Sequence, residues 1–169
     1  MYKRQIEDTD GVQIDIPSLV YQAATTYHIN PKLLLAIMEA EQSALSQCPD
    51  STALASLMGL ETPLTARGQI DLAGERIANT VSSLAETGIT PNGWANDTYK
   101  ITLDGVGVVP ANETIAILFD FTPYVGAEWG GNMPEEKGVQ GIYQAWLDYD
   151  LDNPLPREIL LYYLPLMFK

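Results

Sequence analysis

Glu41 is the residue of this sequence whose placement has chemical consequences. Leu34, Ile37, Met38 and Leu45 recur with the spacing of one helical face between Pro31 and Ser46. Glu41 stands three residues after Met38 and four after Ile37, so it falls on the same apolar stripe. Glu39 and Gln42 fall off it. The helix is therefore expected to turn one carboxylate toward the interior and one toward water. A carboxylate taken out of water is costly unless it is neutral, paired or useful. Burial raises its pKa, and a raised pKa lets a general acid hold its proton near neutrality. The other reading is a Glu at the edge of the stripe, solvated or paired with Arg67 or Arg76. Periodicity leaves both open.

The elements that must position Glu41 are mostly helical. A first helix is predicted from after Pro17 to about His28, with Val20, Ala23, Ala24 and Tyr27 on its apolar face. Asn30-Pro31 restarts the chain, with Asn as N-cap and Pro at the first helical position, and the Glu41 helix runs from Pro31 to about Ser46. Cys48-Pro49-Asp50-Ser51 breaks it. A short helical turn is expected over 53–58. A long helix then spans Ile70 to about Glu86, buried along Ile70, Ala73, Gly74, Ile77, Val81 and Leu84 and stopped at Gly88. Asp104-Gly105, between Tyr99–Leu103 and Val106–Val109, is the strongest hairpin signal. A fourth helix begins near Asn112 and ends at Pro123. A fifth follows Pro134, with Val139, Ile142, Tyr143 and Trp146 as its core stripe, and Pro154–Lys169 forms an apolar tail interrupted at Pro165. The fold class expected is mainly α, a helical α+β domain with one small β-hairpin.

Bulk properties narrow the function. The chain has 169 residues, 46% hydrophobic and 18% charged, which suits one globular domain. Residues 11–169 are read as that domain. Residues 1–10 are set apart as non-native or linker residues, because Met1-Tyr2-Lys3-Arg4-Gln5 resembles a start added in cloning. Asp8 and Asp10 occupy the place of a signal peptide's apolar core, although a missing natural N-terminus would hide such a signal. With 22 acidic against 9 basic residues the net charge is −13, which argues against nucleic acid and anionic membrane surfaces as partners. No apolar run reaches the ~20 residues of a membrane span. Cys48 and His28 are the only residues of their types. An internal disulfide is thereby excluded, and a thiol–imidazole nucleophile or a zinc site is disfavoured. No cofactor is implied.

The run Ile29-Asn30-Pro31-Lys32-Leu33-Leu34-Leu35-Ala36-Ile37-Met38-Glu39-Ala40-Glu41-Gln42-Ser43 resembles the first motif of the lytic transglycosylase and goose-type lysozyme superfamily. In that motif Pro opens a helix, an apolar run follows and the catalytic Glu closes it; the match falls on Glu41. Family members usually place Ser directly after the Glu, whereas here Gln42 intervenes before Ser43. The second motif, a Gly-Leu-Met-Gln segment lining the sugar cleft, is met by Ser56-Leu57-Met58-Gly59, where Leu57 and Met58 are kept and Gly59 replaces the Gln. The helix with Gly74 on its buried face resembles a third feature. Leu118-Phe119-Asp120-Phe121-Thr122-Pro123-Tyr124 stands where the family has an aromatic segment near the acid, with Tyr124 as the candidate hydroxyl. The likeness covers about residues 16–150.

The resemblance implies cleavage of the β-1,4 bond between N-acetylmuramic acid and N-acetylglucosamine in peptidoglycan. Glu41 would protonate the leaving oxygen and then act as base while the muramic C6 hydroxyl attacks C1, leaving a 1,6-anhydro product; hydrolysis by water is the close alternative. Most glycosidases use two carboxylates, and Glu61, Asp71, Asp97 and Asp120 are the partners to consider. Ser56 and Met58 are expected at the cleft from the second motif. Trp94 and Trp129, in Gly-containing loops, are expected to offer stacking faces with Phe121 and Tyr124, and Asp97, with Asn96 beside it, to bond sugar hydroxyls or to cap a turn. The expected partner is peptidoglycan or a chitin-like oligosaccharide, and the expected place is outside the cell or at its envelope, where the negative charge sits awkwardly beside an anionic wall. Two other classes compete: a non-catalytic glycan-binding module on the same fold, and a structural piece of a larger assembly.

Overall fold

The computed structural model describes residues 5–60, 65–126, 131–132 and 138–147. It is mainly helical, with two small antiparallel hairpins. The elements are β1 (Gln5–Glu7), β2 (Gln13–Asp15), α1 (Ile16–Tyr27), α2 (Pro31–Gln42), α3 (Ser51–Ala55), α4 (Ala66–Thr87), β3 (Lys100–Ile101), β4 (Gly107–Val108), α5 (Glu113–Phe121) and α6 (Val139–Leu147). The predicted 104–105 hairpin is the β3–β4 pair, with Lys100 opposite Val108 and Ile101 opposite Gly107. Among the described residues no helix is long and apolar enough to cross a membrane. The side chain of Trp146 and the tail from Pro154 to Lys169 lie outside the described residues.

The central helix is α2, with α1, α4 and α6 packed against it. Asn30 caps its start by accepting the amide of Lys32, and Pro31 supplies the pre-set φ of the first turn. The Asn30 amide also bonds the Tyr143 hydroxyl, which ties α6 to this end. Leu33 through Glu39 are all buried, so α2 is covered on every side rather than along one stripe. That overturns two expectations. The helix stops at Gln42 and not near Ser46, because Ser43 turns to φ +51. Glu39 faces the interior, only 6% exposed, and not water. Its carboxylate accepts the amides of Leu45 and Ser46 and the Ser46 hydroxyl, which wraps residues 43–46 over the helix end. These charge-assisted bonds compete with further helical turns and win. Leu45, expected on the buried stripe, is left 40% exposed in that wrap.

Helix α4 is the long brace. Ile70, Ala73, Gly74, Ile77 and Leu84 are buried as their spacing predicts, and Gly88 closes the helix. Gly74 has a steric role: a Cβ there would lie 2.6 Å from Cδ2 of Tyr27, so its absence lets α1 seat against α4.

Residues 5–10, set apart in the sequence reading, are built into the fold. Ile6 pairs with Ile14, and Ile14 is part of the core. Asp8 is buried and caps the start of α4, accepting the amides of Ala66 (2.8 Å) and Arg67 (3.3 Å) as well as that of Thr9. A carboxylate on a helix N-terminus satisfies orphan donors and complements the helix dipole. Asp8→Ala is expected to cost about 1–2 kcal/mol at neutral pH. Urea unfolding should show a lower midpoint with an unchanged slope; an unchanged midpoint would mean that the 5–15 hairpin contributes nothing to α4.

Candidate active site

Glu41 sits in the last turn of α2 and lines an open cleft of about 590 Å³. Leu72 and Arg76 of α4 form one wall of the cleft, and Lys100, Ile101 and Leu103 of the β3 arm another. Phe121, Thr122, Pro123 and Tyr124 follow α5 along it, and Asn92, Trp94 and Asp120 line it as well. Burial of the Glu41 carboxyl raises its pKa from the ordinary 4.5 to about 7, and a hydrogen bond from the Thr122 side chain opposes that rise. Neither Arg67 nor Arg76 contributes to the shift. The ion-paired reading of Glu41 therefore gives way to a desolvated carboxyl with one hydroxyl donor.

Gly59 makes this arrangement possible. Its φ is +66, and a Cβ there would lie 2.7 Å from Oε1 of Glu41 and closer still to Cδ and Oε2. The backbone thus meets the carboxyl face-on where any other residue would push it away. Gln69 of α4 holds that backbone in place. Fully buried, it donates to the carbonyls of Ala55 (3.1 Å) and Leu60 (3.3 Å) and accepts the amide of Met58 (3.3 Å). On the other side Asn132 donates to the carbonyls of Leu118 and Thr122, fixing the Thr122 turn.

The expected site residues divide. Glu41, Phe121 and Tyr124 do line the cleft, the last two half-buried. Trp94 also lines it but is only 2% exposed. One contact is a stack on Phe119 at 5.0 Å between centroids, and the Lys100 ammonium lies 4.7 Å from its ring centroid. It is a core aromatic with a cation over it, not an open stacking face. Met58 is fully buried core and absent from the lining. Ser56 also lies off the cleft, its hydroxyl accepting from the Gln42 side chain (3.1 Å) and donating to the Thr52 carbonyl (3.2 Å). Asp97 is exposed and absent from the cleft lining, at φ +54, and its carboxylate accepts from the Asn96 side chain. Trp129 lies outside the described residues.

Of the possible second carboxylates, Asp120 lines the cleft. Its oxygens already accept the Asn92 amide (2.8 Å), the Asn92 side chain (3.2 Å) and the Thr80 hydroxyl (3.2 Å). It anchors the 90–94 turn to α4 and α5. Asp71 is exposed on α4, where it accepts the Tyr27 hydroxyl at 3.0 Å. Glu61 lies outside the described residues. Local periodicity gives no sign of Thr122, Gln69 or Lys100 at the site and offers Arg76 only as an ion-pair partner of Glu41, because each reaches its place through contacts between distant elements and none breaks a local pattern.

Comparison of the chain with protein-family models, with curated proteins and with solved structures finds no match.

Two substitutions probe this geometry. Gly59→Ala strains a left-handed residue and collides with Glu41, so a loss of about 1–3 kcal/mol in stability is expected together with a moved Glu41 titration. Wild-type stability with an unmoved titration would mean that the contact does not position the carboxyl. Thr122→Val removes the donor that favours the charged form, so the Glu41 pKa should rise further. Carbon-13 carboxyl titration reads this directly, and a downward or absent shift would remove Thr122 from the site.

Proposed function

We propose that the chain cleaves peptidoglycan strands at the β-1,4 bond between N-acetylmuramic acid and N-acetylglucosamine, with Glu41 as acid and then base. The observation that carries this reading is the Glu41 carboxyl, desolvated to a pKa of about 7 while lining an open 590 Å³ cleft. A general acid works best when its pKa lies near the working pH. The likeness of the 29–43 segment to lytic transglycosylases and goose-type lysozymes supplies the substrate class, and such a polymer would place the protein outside the cell or at its envelope.

The surroundings suit both halves of a single-acid cycle. The protonated carboxyl delivers its proton to the glycosidic oxygen as the C1–O bond breaks and an oxocarbenium-like centre forms. The resulting carboxylate accepts the Thr122 hydroxyl, which favours the charged form. It then removes the proton of the incoming hydroxyl as the new C1–O bond closes. Asp120, the other carboxylate among the described lining residues, is committed to Asn92 and Thr80. That favours internal attack by the muramic C6 hydroxyl, with a 1,6-anhydro product, over a second-carboxylate nucleophile.

Digestion of purified peptidoglycan, with products read by mass spectrometry, tests the reading. Wild type should release anhydro-muropeptides, and Glu41→Gln should be slower by about 100-fold or more. Because the acid must enter protonated, activity should fall as pH rises through about 7. Reducing-end products would make it a muramidase. No release by wild type at acidic or neutral pH overturns the enzyme reading; equal retention of wall glycan by both proteins would then favour a binding module.

A further inference from the structure

The chain is strongly acidic, yet the described lining of its cleft is not. The described residues include four cationic side chains, Lys32, Arg67, Arg76 and Lys100, and two of them line the cleft. Of the described Asp and Glu residues only Glu41 and Asp120 do so. Asp120 directs its oxygens to three neutral donors, which leave its charge in place, and Glu41 holds its proton through mildly acidic pH, so two cations stand against one carboxylate in the described lining. The described lining therefore presents a small excess of cationic charge inside a molecule whose net charge is −13.

Both cations are anchored and both keep donors to spare. The Arg76 guanidinium lies 5.1 Å from the Phe121 ring centroid, and the Lys100 ammonium lies over Trp94 while donating to the Asn92 carbonyl. An ammonium has three donors and a guanidinium five. Among the described residues neither cation forms an ion pair with a carboxylate. Lys100, half-buried over Trp94, is partly desolvated, which strengthens its pairing with an incoming anion, while Arg76 is exposed at the cleft wall.

We propose that the cleft selects a glycan bearing carboxylate groups over a neutral one, with Arg76 and Lys100 as the specificity-determining residues that receive the carboxylates. The inference rests on the glycan-cleavage reading and says what the cleft recognises in a wall glycan: the carboxylates of its stem peptides and of any lactyl group that bears no peptide, which a neutral chitin-like chain lacks. An acidic protein otherwise repels an anionic polymer, so a local reversal of sign at the reacting groups is what admits it.

Calorimetry on the full-length Glu41→Gln protein tests this without turnover. Three probes serve: a tetrasaccharide of alternating N-acetylglucosamine and N-acetylmuramic acid, the same tetrasaccharide with its carboxyls amidated, and chitotetraose. The anionic probe should bind about ten-fold or more tightly than the other two. Arg76→Gln and Lys100→Gln should each remove about three- to ten-fold of that advantage, read as the ratio of anionic to chitotetraose affinity, so that a general loss of cleft structure, which lowers both affinities alike, is distinguished from a loss of carboxylate selection. The advantage should shrink as salt rises from about 0.05 to 0.5 M. Equal affinity for the anionic and amidated probes, or an advantage that survives the double substitution, overturns the inference. If wild type meanwhile releases products from peptidoglycan, the glycan-cleavage reading stands without it. If no probe binds and no product is released, both fall.

Discussion

The arrangement of this molecule turns on keeping one carboxyl, that of Glu41, out of water but within reach of a cleft. Desolvation penalises the charged form, and the surrounding elements maintain it. A helix buried on every side brings Glu41 to its last turn. A glycine at φ +66 lets the backbone of the 55–60 segment close on the carboxyl, and the buried Gln69 keeps that segment against α4. The turn after α5 brings Thr122 to the remaining side, fixed in turn by Asn132. Each of these contacts joins segments far apart in the chain, so the raised pKa of Glu41 depends on the assembled domain rather than on α2 alone.

Glu39 and Glu41 show how environment separates two identical side chains. They stand two residues apart, so they leave the helix about 200° apart around its axis. Glu39 meets three donors from the chain that wraps the helix end and serves as a structural clasp. Glu41 meets one hydroxyl and the cleft. Donors compensate the desolvation of the first, and a retained proton compensates that of the second. The second solution has a consequence for stability. The folded state binds the Glu41 proton more tightly than the unfolded chain does. Its contribution to folding is therefore complete below about 4.5 and lost as pH rises to about 7. A carboxyl kept neutral by burial weakens the fold in the pH range where it gives up its proton.

The cleft's walls follow the same economy of donors. Asp120 uses its carboxylate to hold the 90–94 turn against α4, and that turn brings Trp94 onto Phe119 and the Asn92 carbonyl onto Lys100. The β3 arm adds Ile101 and Leu103, both more than half exposed, as apolar lining. Apolar faces with a few fixed polar groups are the usual composition of a small-molecule site.

Local chemistry determined much of this protein from the sequence alone. The Asn30-Pro31 start of α2, the buried stripe of α4 with its Gly88 stop, the Asp104-Gly105 hairpin and the mainly helical class depend on contacts within a few residues. So does the position of Glu41 on a helix that must bury itself. Tertiary structure decided the rest. Periodicity assigns a face but not how many faces are covered, which is why Glu39 turned out buried and Leu45 exposed. Trp94 in a Gly-containing loop looks open locally, and only the meeting with Phe119 and Lys100 buries it. The Gly59 contact, the Thr122 donor and the cations of the cleft arise where distant segments meet. No local pattern encodes those meetings, because the free energy that selects them comes from burying several elements at once.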